Sequence, residues 1–212
     1  SGDGGPAVSA ALNEPTALIV DGKGQLYIAD QSNNRVRKVD QATGVITTVV
    51  GTGEAAYTGD GMPASQASLA GPSGLAVGPD GALYIADTFN GRIRRVDPET
   101  GLISTVAGDG GEYRYQGRAN EFSTSLSRPY GIALDREGHI LITDSDSHLI
   151  RKWDRTKKIV RRVAGNGMAQ FGGDGGPPED CSLNYPFGVV VDDRGNMYIA
   201  DTFNHRVRMI AV

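Results

Sequence analysis

A single cysteine, Cys181, stands in this 212-residue chain, so no internal disulfide can form. No apolar run approaches the ~18 residues of a membrane-spanning helix. The first residues, Ser1-Gly2-Asp3-Gly4-Gly5, have neither the basic nor the apolar region of a secretory signal. We therefore expect a soluble chain with no membrane span, and these absences leave its compartment unknown.

Aromatic residues and positive charge are also scarce. Aromatics make up 7% of the chain, and the formal net charge is −4. Affinity for nucleic acid depends on clustered lysines and arginines, so nucleic acid is not expected as a partner. The chain contains no Gly-x-Ser-x-Gly elbow, Walker loop or Cys-x-x-Cys pair. No catalytic residue and no metal ligand is therefore assigned.

A short sequence motif recurs along the chain at a fixed interval. The segments Tyr27–Asp30, Tyr84–Asp87, Ile140–Asp144 and Tyr198–Asp201 close with aspartates spaced 57 residues apart. A period of this size indicates one supersecondary unit copied in tandem, whose apolar face must pack on its neighbours. We predict a single domain over 1–212 with repeats at about 1–57, 58–114, 115–171 and 172–212.

The second copy predicts four short antiparallel strands. Apolar runs at Gly74–Val77, Ala82–Ala86, Arg92–Val96 and Leu102–Val106 are separated by turns rich in Gly, Pro, Asn and Asp. Radially repeated four-stranded units are the blades of a β-propeller, so we predict an all-β propeller. A parallel solenoid is the alternative, but it would have shorter coils and no hairpin turns.

The fourth copy stops after its third strand, at Arg206–Ile210. That strand would expose unpaired backbone donors and acceptors. We therefore expect part of a larger propeller, a homo-oligomer that completes the ring, or a chain whose termini are missing.

The repeat resembles a known family. Leu69–Val77, Tyr84–Asn90 and Arg92–Val96 resemble the NHL repeat, and Gly59-Asp60-Gly61 resembles a long-loop variant common in bacterial NHL proteins. This variant is often exported, so the resemblance favours an extracytoplasmic location in a bacterium, in the envelope or secreted. NHL propellers include protein-binding and ligand-binding platforms, RNA binders, sensor domains and a peptide-amidating lyase. The resemblance thus implies a fold without selecting a chemistry.

Antiparallel geometry places every long connection on one face, which we call the long-loop face. The connections after the second and fourth strands of a blade lie at the same end, and residues 108–129 form one such loop. Long ordered loops are usually functional. We therefore predict a non-catalytic module that binds a protein, peptide or small molecule on this face, with the central funnel as the default pocket.

The third copy differs most from the others, and its loops supply the candidate contacts. Aromatic and arginine side chains on a loop face are typical of recognition hot spots. The predicted ligand-binding residues are Tyr113, Arg114, Tyr115, Arg118, Asp146 and His148. Tyr113 and Tyr115 could instead cap the core between blades.

The alternative function is a metal-dependent lyase or hydrolase that uses the central funnel, as in the amidating relatives.

Each repeated aspartate is followed seven residues later by an arginine, and across a tight turn the two could form a charge-assisted pair. A catalytic constellation would occur once, whereas this one recurs in every copy, so we interpret it as structural. The predicted pairs are Asp30 with Arg37, Asp87 with Arg94, Asp144 with Arg151, and Asp201 with Arg208.

Two further patterns could bind metal. The Gly-Asp-Gly loops could offer oxygens to calcium, although Asp and Gly equally form ordinary turns, and in the third copy Arg118 takes the place of the aspartate. No cofactor is predicted; calcium alone is left open.

His148 and His205 occupy equivalent turns of consecutive copies. Stacked sheets lie ~10 Å apart, whereas zinc needs its nitrogen ligands at ~2 Å, so the two histidines are not expected to bind one zinc ion. His139 is expected to be a solvated turn residue.

Overall fold

The computed structural model describes residues 1–111, the backbone of 119–120, and residues 124–212. The described strands form four antiparallel sheets in chain order, which confirms the predicted all-β fold. The first two sheets contain β1 (Pro15–Val20), β2 (Leu26–Asp30), β3 (Arg35–Val39), β4 (Ile46–Val50), β5 (Pro72–Val77), β6 (Leu83–Asp87), β7 (Arg92–Val96) and β8 (Ile103–Ala107). The last two contain β9 (Ala119–Asn120), β10 (Pro129–Leu134), β11 (Ile140–Asp144), β12 (Leu149–Asp154), β13 (Ile159–Ala164), β14 (Pro186–Val191), β15 (Met197–Asp201) and β16 (Arg206–Ile210).

Each sheet is one meander, a blade of the predicted kind. The order is β1-β2-β3-β4 in the first blade and β5-β6-β7-β8 in the second. In the third blade the two-residue strand β9 joins the outer edge of β13, which the sequence did not predict. The fourth blade has three strands, β14-β15-β16, as predicted.

Contacts divide the chain into two units, Ser1–Thr105 and Val106–Val212. In the first unit β1 lies beside β5. A buried cluster that includes Val36, Leu69, Leu75 and Ile85 fills the space between its sheets. This shared cluster is the interior that a repeat cannot form alone.

The second unit is built in the same way, with β10 beside β14. Its buried cluster includes Leu141, Ile150, Leu183 and Ile199, and Cys181 lies within it. No helix of the described residues is long and apolar enough to cross a membrane.

Two local features recur and shape the end of each blade at which its second strand finishes. A short 3-10 turn follows the second strand and ends at a left-handed residue, with φ of 52° at Asn34, 60° at Gly91, 56° at His148 and 55° at His205. Glycine and asparagine adopt this conformation readily, and it turns the chain directly into the third strand. The first strand begins with a proline and then a β-bulge, which re-aims the residue that follows the proline.

Candidate functional site

The four repeated aspartates lie fully buried beside their arginines. Arg37 Nη1 lies 3.2 Å from Asp30 Oδ2, and Arg94 Nη1 lies 3.1 Å from Asp87 Oδ2. In the second unit Arg151 Nε is 2.6 Å from Asp144 Oδ2, and Arg208 Nη1 is 3.2 Å from Asp201 Oδ2. The same pair therefore stands at the same place in every blade.

Other donors also converge on each aspartate. Asp87 Oδ1 accepts the Ala70 backbone N–H at 2.8 Å, and the Asn90 side-chain amide donates to both carboxylate oxygens at 2.9 Å. Burial raises the pKa of the Asp87 and Asp144 carboxyls, and the surrounding donors and arginines oppose this effect. Ala70 lies in the loop before β5, and Asn90 lies in the turn after β6. The Asp87 carboxylate therefore binds this loop and this turn to the end of β6.

In three blades the aspartate of the Gly-Asp-Gly loop also contacts the arginine of the buried pair. Asp3 Oδ1 lies 2.6 Å from Arg37, Asp60 Oδ1 lies 2.7 Å from Arg94, and Asp174 Oδ1 lies 2.5 Å from Arg208. Burial raises the pKa of Asp60, but hydrogen bonds from Thr105 and the charge of Arg94 leave that pKa below its usual range. The Gly-Asp-Gly carboxylates were considered above as possible calcium ligands. In the structure an arginine contacts each of the three.

Of the six predicted binding residues, Tyr113, Arg114, Tyr115 and Arg118 lie outside the described residues. Asp146 is half-buried in the turn after β11, with Oδ2 3.6 Å from Arg128 Nε. His148 ends this turn, and its Nδ1 accepts the Tyr185 backbone N–H at 3.1 Å. Asp146 and His148 therefore belong to one turn of the third blade.

His148 has a structural counterpart in the first unit. Asn34 occupies the equivalent position, and its Oδ1 accepts the Gly71 backbone N–H at 2.9 Å. Both bonds tie the turn of one blade to the start of the next. Burial lowers the pKa of His148, while the charges of Asp146 and Asp201 act in the opposite direction. His205 lies exposed at the surface of the fourth blade.

One group of three potential metal ligands gathers in the described part of the chain: Asp135, Glu137 and His139. The expectation that His139 is solvated is wrong, because its side chain is only 11% exposed. Its Nδ1 accepts the Arg155 backbone N–H at 3.2 Å, which places the ring proton on Nε2, 3.0 Å from Glu137 Oε2. Lys152 Nζ lies 2.6 Å from Asp135 Oδ2. Each of the three side chains therefore already has a protein partner, and together these contacts stabilise the turn between β10 and β11.

Aromatic side chains that the sequence analysis did not select form a cluster in the second unit. Tyr130 and Phe187 stack with ring centroids 4.7 Å apart, and Tyr185 packs edge-on against Phe203 at 5.0 Å. The ring of His148 contacts Tyr185 at 4.7 Å. We call Tyr130, Tyr185, Phe187 and Phe203 the aromatic rim. Phe203 is 54% exposed, so the rim presents an aromatic surface to solvent.

The aromatic rim lies at the end of its blades where the turns after β11 and β15 are found. Tyr130 and Phe187 are the residues after the strand-opening prolines, at the β-bulges, and they stand 57 residues apart. The equivalent residues of the first unit are Thr16 and Ser73. Aligning the four copies column by column would have shown this change, whereas a search for runs of aromatics could not.

The first unit has a cleft at the opposite end of its blades. It encloses about 950 Å³ between the turns at 21–23, 78–81 and 97–101, with Tyr27 and Lys38 among its walls. These turns join first to second and third to fourth strands. The cleft therefore opens on the short-turn face rather than on the long-loop face.

Blades of this construction define the class of the protein as a β-propeller. The family model for the teneurin NHL domain matches residues 1–58 and 52–119, and the NHL repeat matches residues 126–153. The chain belongs to the NHL-repeat family, which confirms the family predicted from its motifs.

Among curated relatives, the chain is 30% identical over 195 residues to Protein SUPPRESSOR OF QUENCHING 1, chloroplastic, of Arabidopsis thaliana, covering 88% of this chain. It is 29% identical over 238 residues to human Teneurin-1, covering 99% of this chain. The chain spans 18% of the first relative's length and 8% of the second's.

Solved structures share the fold. A Bacteroides thetaiotaomicron protein of unknown function has a TM-score of 0.76 at 22% identity, over 94% of this chain and 47% of its own. An auxiliary nutrient binding protein from Bacteroides ovatus has a TM-score of 0.70 at 23% identity, over 95% of this chain and 49% of its own. At these identities the likeness concerns the fold alone.

Proposed function

We propose that this chain is a non-catalytic recognition module of the NHL family that binds a peptide segment of a protein partner at the aromatic rim. The observation that carries the proposal is an exposed Phe203 that packs against Tyr185 and Phe187, with Tyr130 stacked on Phe187 in turn. Aromatic side chains held in place by neighbours offer a large contact area at little entropic cost, which is typical of binding hot spots.

The polar surroundings of the rim support recognition. Asp146 and Arg128 lie 3.6 Å apart next to this turn and supply charge of both signs. His148 Nδ1 accepts a hydrogen bond from the Tyr185 backbone N–H, so the role of His148 there is to hold Tyr185 in position. An apolar centre with a polar border is the usual anatomy of a protein interface.

The likeness to an auxiliary nutrient binding protein is compatible with a binding role, since that protein is described as a binder of nutrients. In the present chain Phe203 is exposed and the other three rings of the rim are half-buried, which suits the side chains of a peptide.

A selection with a random 12-residue peptide library would test the proposal. Peptides enriched on the wild-type protein are measured again on Phe203→Ala and on Phe89→Ala, a control from the equivalent turn of the second blade, where Phe89 is 62% exposed. We expect Phe203→Ala to weaken binding by at least about tenfold, the effect of losing a hot-spot side chain. We expect Phe89→Ala to leave it within about twofold. Enriched peptides that bind both variants equally well would contradict the proposal.

A further inference from the structure

The cleft on the short-turn face of the first unit lies between its two blades. It encloses about 950 Å³, and pockets for small molecules usually measure about 300–1,000 Å³. Aliphatic side chains line it: Val49 and Val50 come from the first blade, and Val77, Leu83 and Val96 come from the second. A cleft with such walls needs only a few placed polar groups to orient a ligand.

Lys38 of β3 supplies a charge at these walls. It lies two residues after Val36 and therefore on the same face of β3, the face that packs toward the second blade. Tyr27 lies beside it on β2, and both side chains are half-buried. Lys38 makes no hydrogen bond or ion pair with any other residue that the structure describes. Its ammonium group is therefore available to a ligand.

The equivalents of Lys38 in the next two blades are both paired. Arg95 Nη2 lies 3.1 Å from Asp80 Oδ2, and Arg95 Nη1 lies 3.0 Å from Asp97 Oδ2. Lys152 Nζ lies 2.6 Å from Asp135 Oδ2. The cation at this position thus has a carboxylate partner within its own blade in the second and third copies but not in the first.

The sequence of the first blade explains why Lys38 is unpaired. Lys23 stands where Asp80 stands in the second blade, so a second cation replaces the carboxylate. Asp40 stands where Asp97 stands, but it accepts two backbone N–H groups of its own turn, at 2.9 and 3.1 Å. The first blade has therefore exchanged an internal ion pair for two lysines at the cleft.

The cleft as a whole is balanced in charge. The charged residues that line it, taken with Arg95, are Asp21, Asp80, Asp97, Lys23, Lys38 and Arg95. Each of the three carboxylates already accepts at least one backbone N–H of its own turn. The preference for an anion is therefore local to Lys38, the cation that has no partner within the blade.

We propose that this cleft binds a small aliphatic carboxylate, whose carboxyl group pairs with Lys38 and whose alkyl chain lies against Val77, Leu83 and Val96. The charge-assisted contact orients the ligand, and burial of its CH₂ groups supplies affinity. The site uses residues of the first unit alone. It is therefore independent of the peptide binding proposed for the aromatic rim, which belongs to the second unit.

A cationic ligand fits the cleft less well. To bind a cation, Asp21 or Asp97 would have to give up the backbone amides that hold its turn, and Lys38 would repel the newcomer. A carboxylate needs only to displace the water around Lys38. An alkyl carboxylate and an alkylammonium ion of equal length therefore make a matched pair of probes.

The experiment titrates the full chain with octanoate, acetate and octylammonium, and follows backbone amides by ¹H–¹⁵N nuclear magnetic resonance. We expect octanoate to bind saturably and to shift the amides of residues 22–24, 38 and 80–83. Each fully buried CH₂ strengthens binding about fourfold, so octanoate should bind at least about tenfold more tightly than acetate even if only two are buried. It should exceed octylammonium by at least about tenfold as well.

Variants test the assigned cation. Lys38→Met should weaken octanoate binding about fivefold to tenfold, and methionine is the residue at the equivalent position, Met209, of the fourth blade. Lys38→Arg keeps the charge and should bind within about threefold of wild type. Lys152→Met is the matched control from the third blade. It should leave octanoate binding within about twofold, as should Phe203→Ala of the aromatic rim.

Four outcomes would overturn the proposal. They are an absence of saturable binding, octylammonium binding as tightly as octanoate, acetate binding as tightly as octanoate, and octanoate binding that is unchanged in Lys38→Met. Because Phe203 is not part of this site, a failure here leaves the proposed peptide binding at the rim untouched, and a failure there leaves the cleft untouched.

Discussion

Replacing Asp87 with alanine is the sharpest test of how the blades are held together. Asp87 and Arg94 are both fully buried, and the carboxylate also accepts hydrogen bonds from the Ala70 N–H and from Asn90. The substitution leaves the arginine with Asp60 and the Thr58 C=O as its remaining hydrogen-bond partners. It also leaves the Ala70 N–H without an acceptor in the interior.

The expected loss follows from these contacts. Removing one partner of a buried ion pair lowers the free energy of unfolding by about 3–5 kcal/mol. The unpaired Ala70 N–H is part of this loss, at ~1–3 kcal/mol. For a chain of this length each 1 kcal/mol lowers Tm by about 2–4 °C, so we expect a fall of roughly 6–20 °C.

Calorimetry and far-ultraviolet circular dichroism would measure the change. The lone tryptophan, Trp153, is buried in the second unit, so its fluorescence shows whether that unit melts together with the first. Asp201→Ala is the matched comparison, since its partner Arg208 is 10% exposed and keeps contact with water. We expect a smaller loss there. An Asp87→Ala variant with unchanged Tm, or one less affected than Asp201→Ala, would refute the structural role of the pair.

Two further predictions concern titratable groups. His148→Asn should keep wild-type stability at pH 7, because Asn34 makes the equivalent bond, whereas His148→Ala should lose about 1 kcal/mol. Because burial lowers the pKa of His148 below 6.5, the unfolded chain binds more protons as pH falls through 6.5, and wild-type stability should fall there while that of His148→Asn should not. Nuclear magnetic resonance titration of this imidazole with a pKa at or above 6.5 would contradict this. The lowered pKa of Asp60 contributes stability that is present above pH 3.8 and lost below it, so the deficit of Asp60→Asn in urea unfolding should shrink as pH falls from about 5 to about 3. A deficit that is constant with pH would exclude the ion pair with Arg94 as its cause.

The blade itself was predictable to within a residue or two. The third strands at Arg92–Val96 and Arg206–Ile210 have the predicted bounds. The first strand of the second blade begins earlier than predicted, at Pro72 rather than at Gly74. The reason is the β-bulge, which breaks the two-residue alternation on which such a prediction depends.

The candidate site was predictable only in part. The loop sequence around Tyr113 departs from the other copies, but the four predicted binding residues that it contains lie outside the described part of the chain. The face was chosen from strand direction, and the turns that carry His148 and Phe203 lie there. The stacking of Tyr130 on Phe187 was missed, because two single aromatics separated by one full repeat give no local signal.

The sequence alone determined the repeat, the four meanders and the recurrent Asp–Arg positions, because these depend on turn chemistry and alternation within a few residues of chain. Tertiary structure decided which side chains meet across neighbouring blades. Equivalent positions of successive copies come together only when the sheets pack, as Tyr130 does with Phe187.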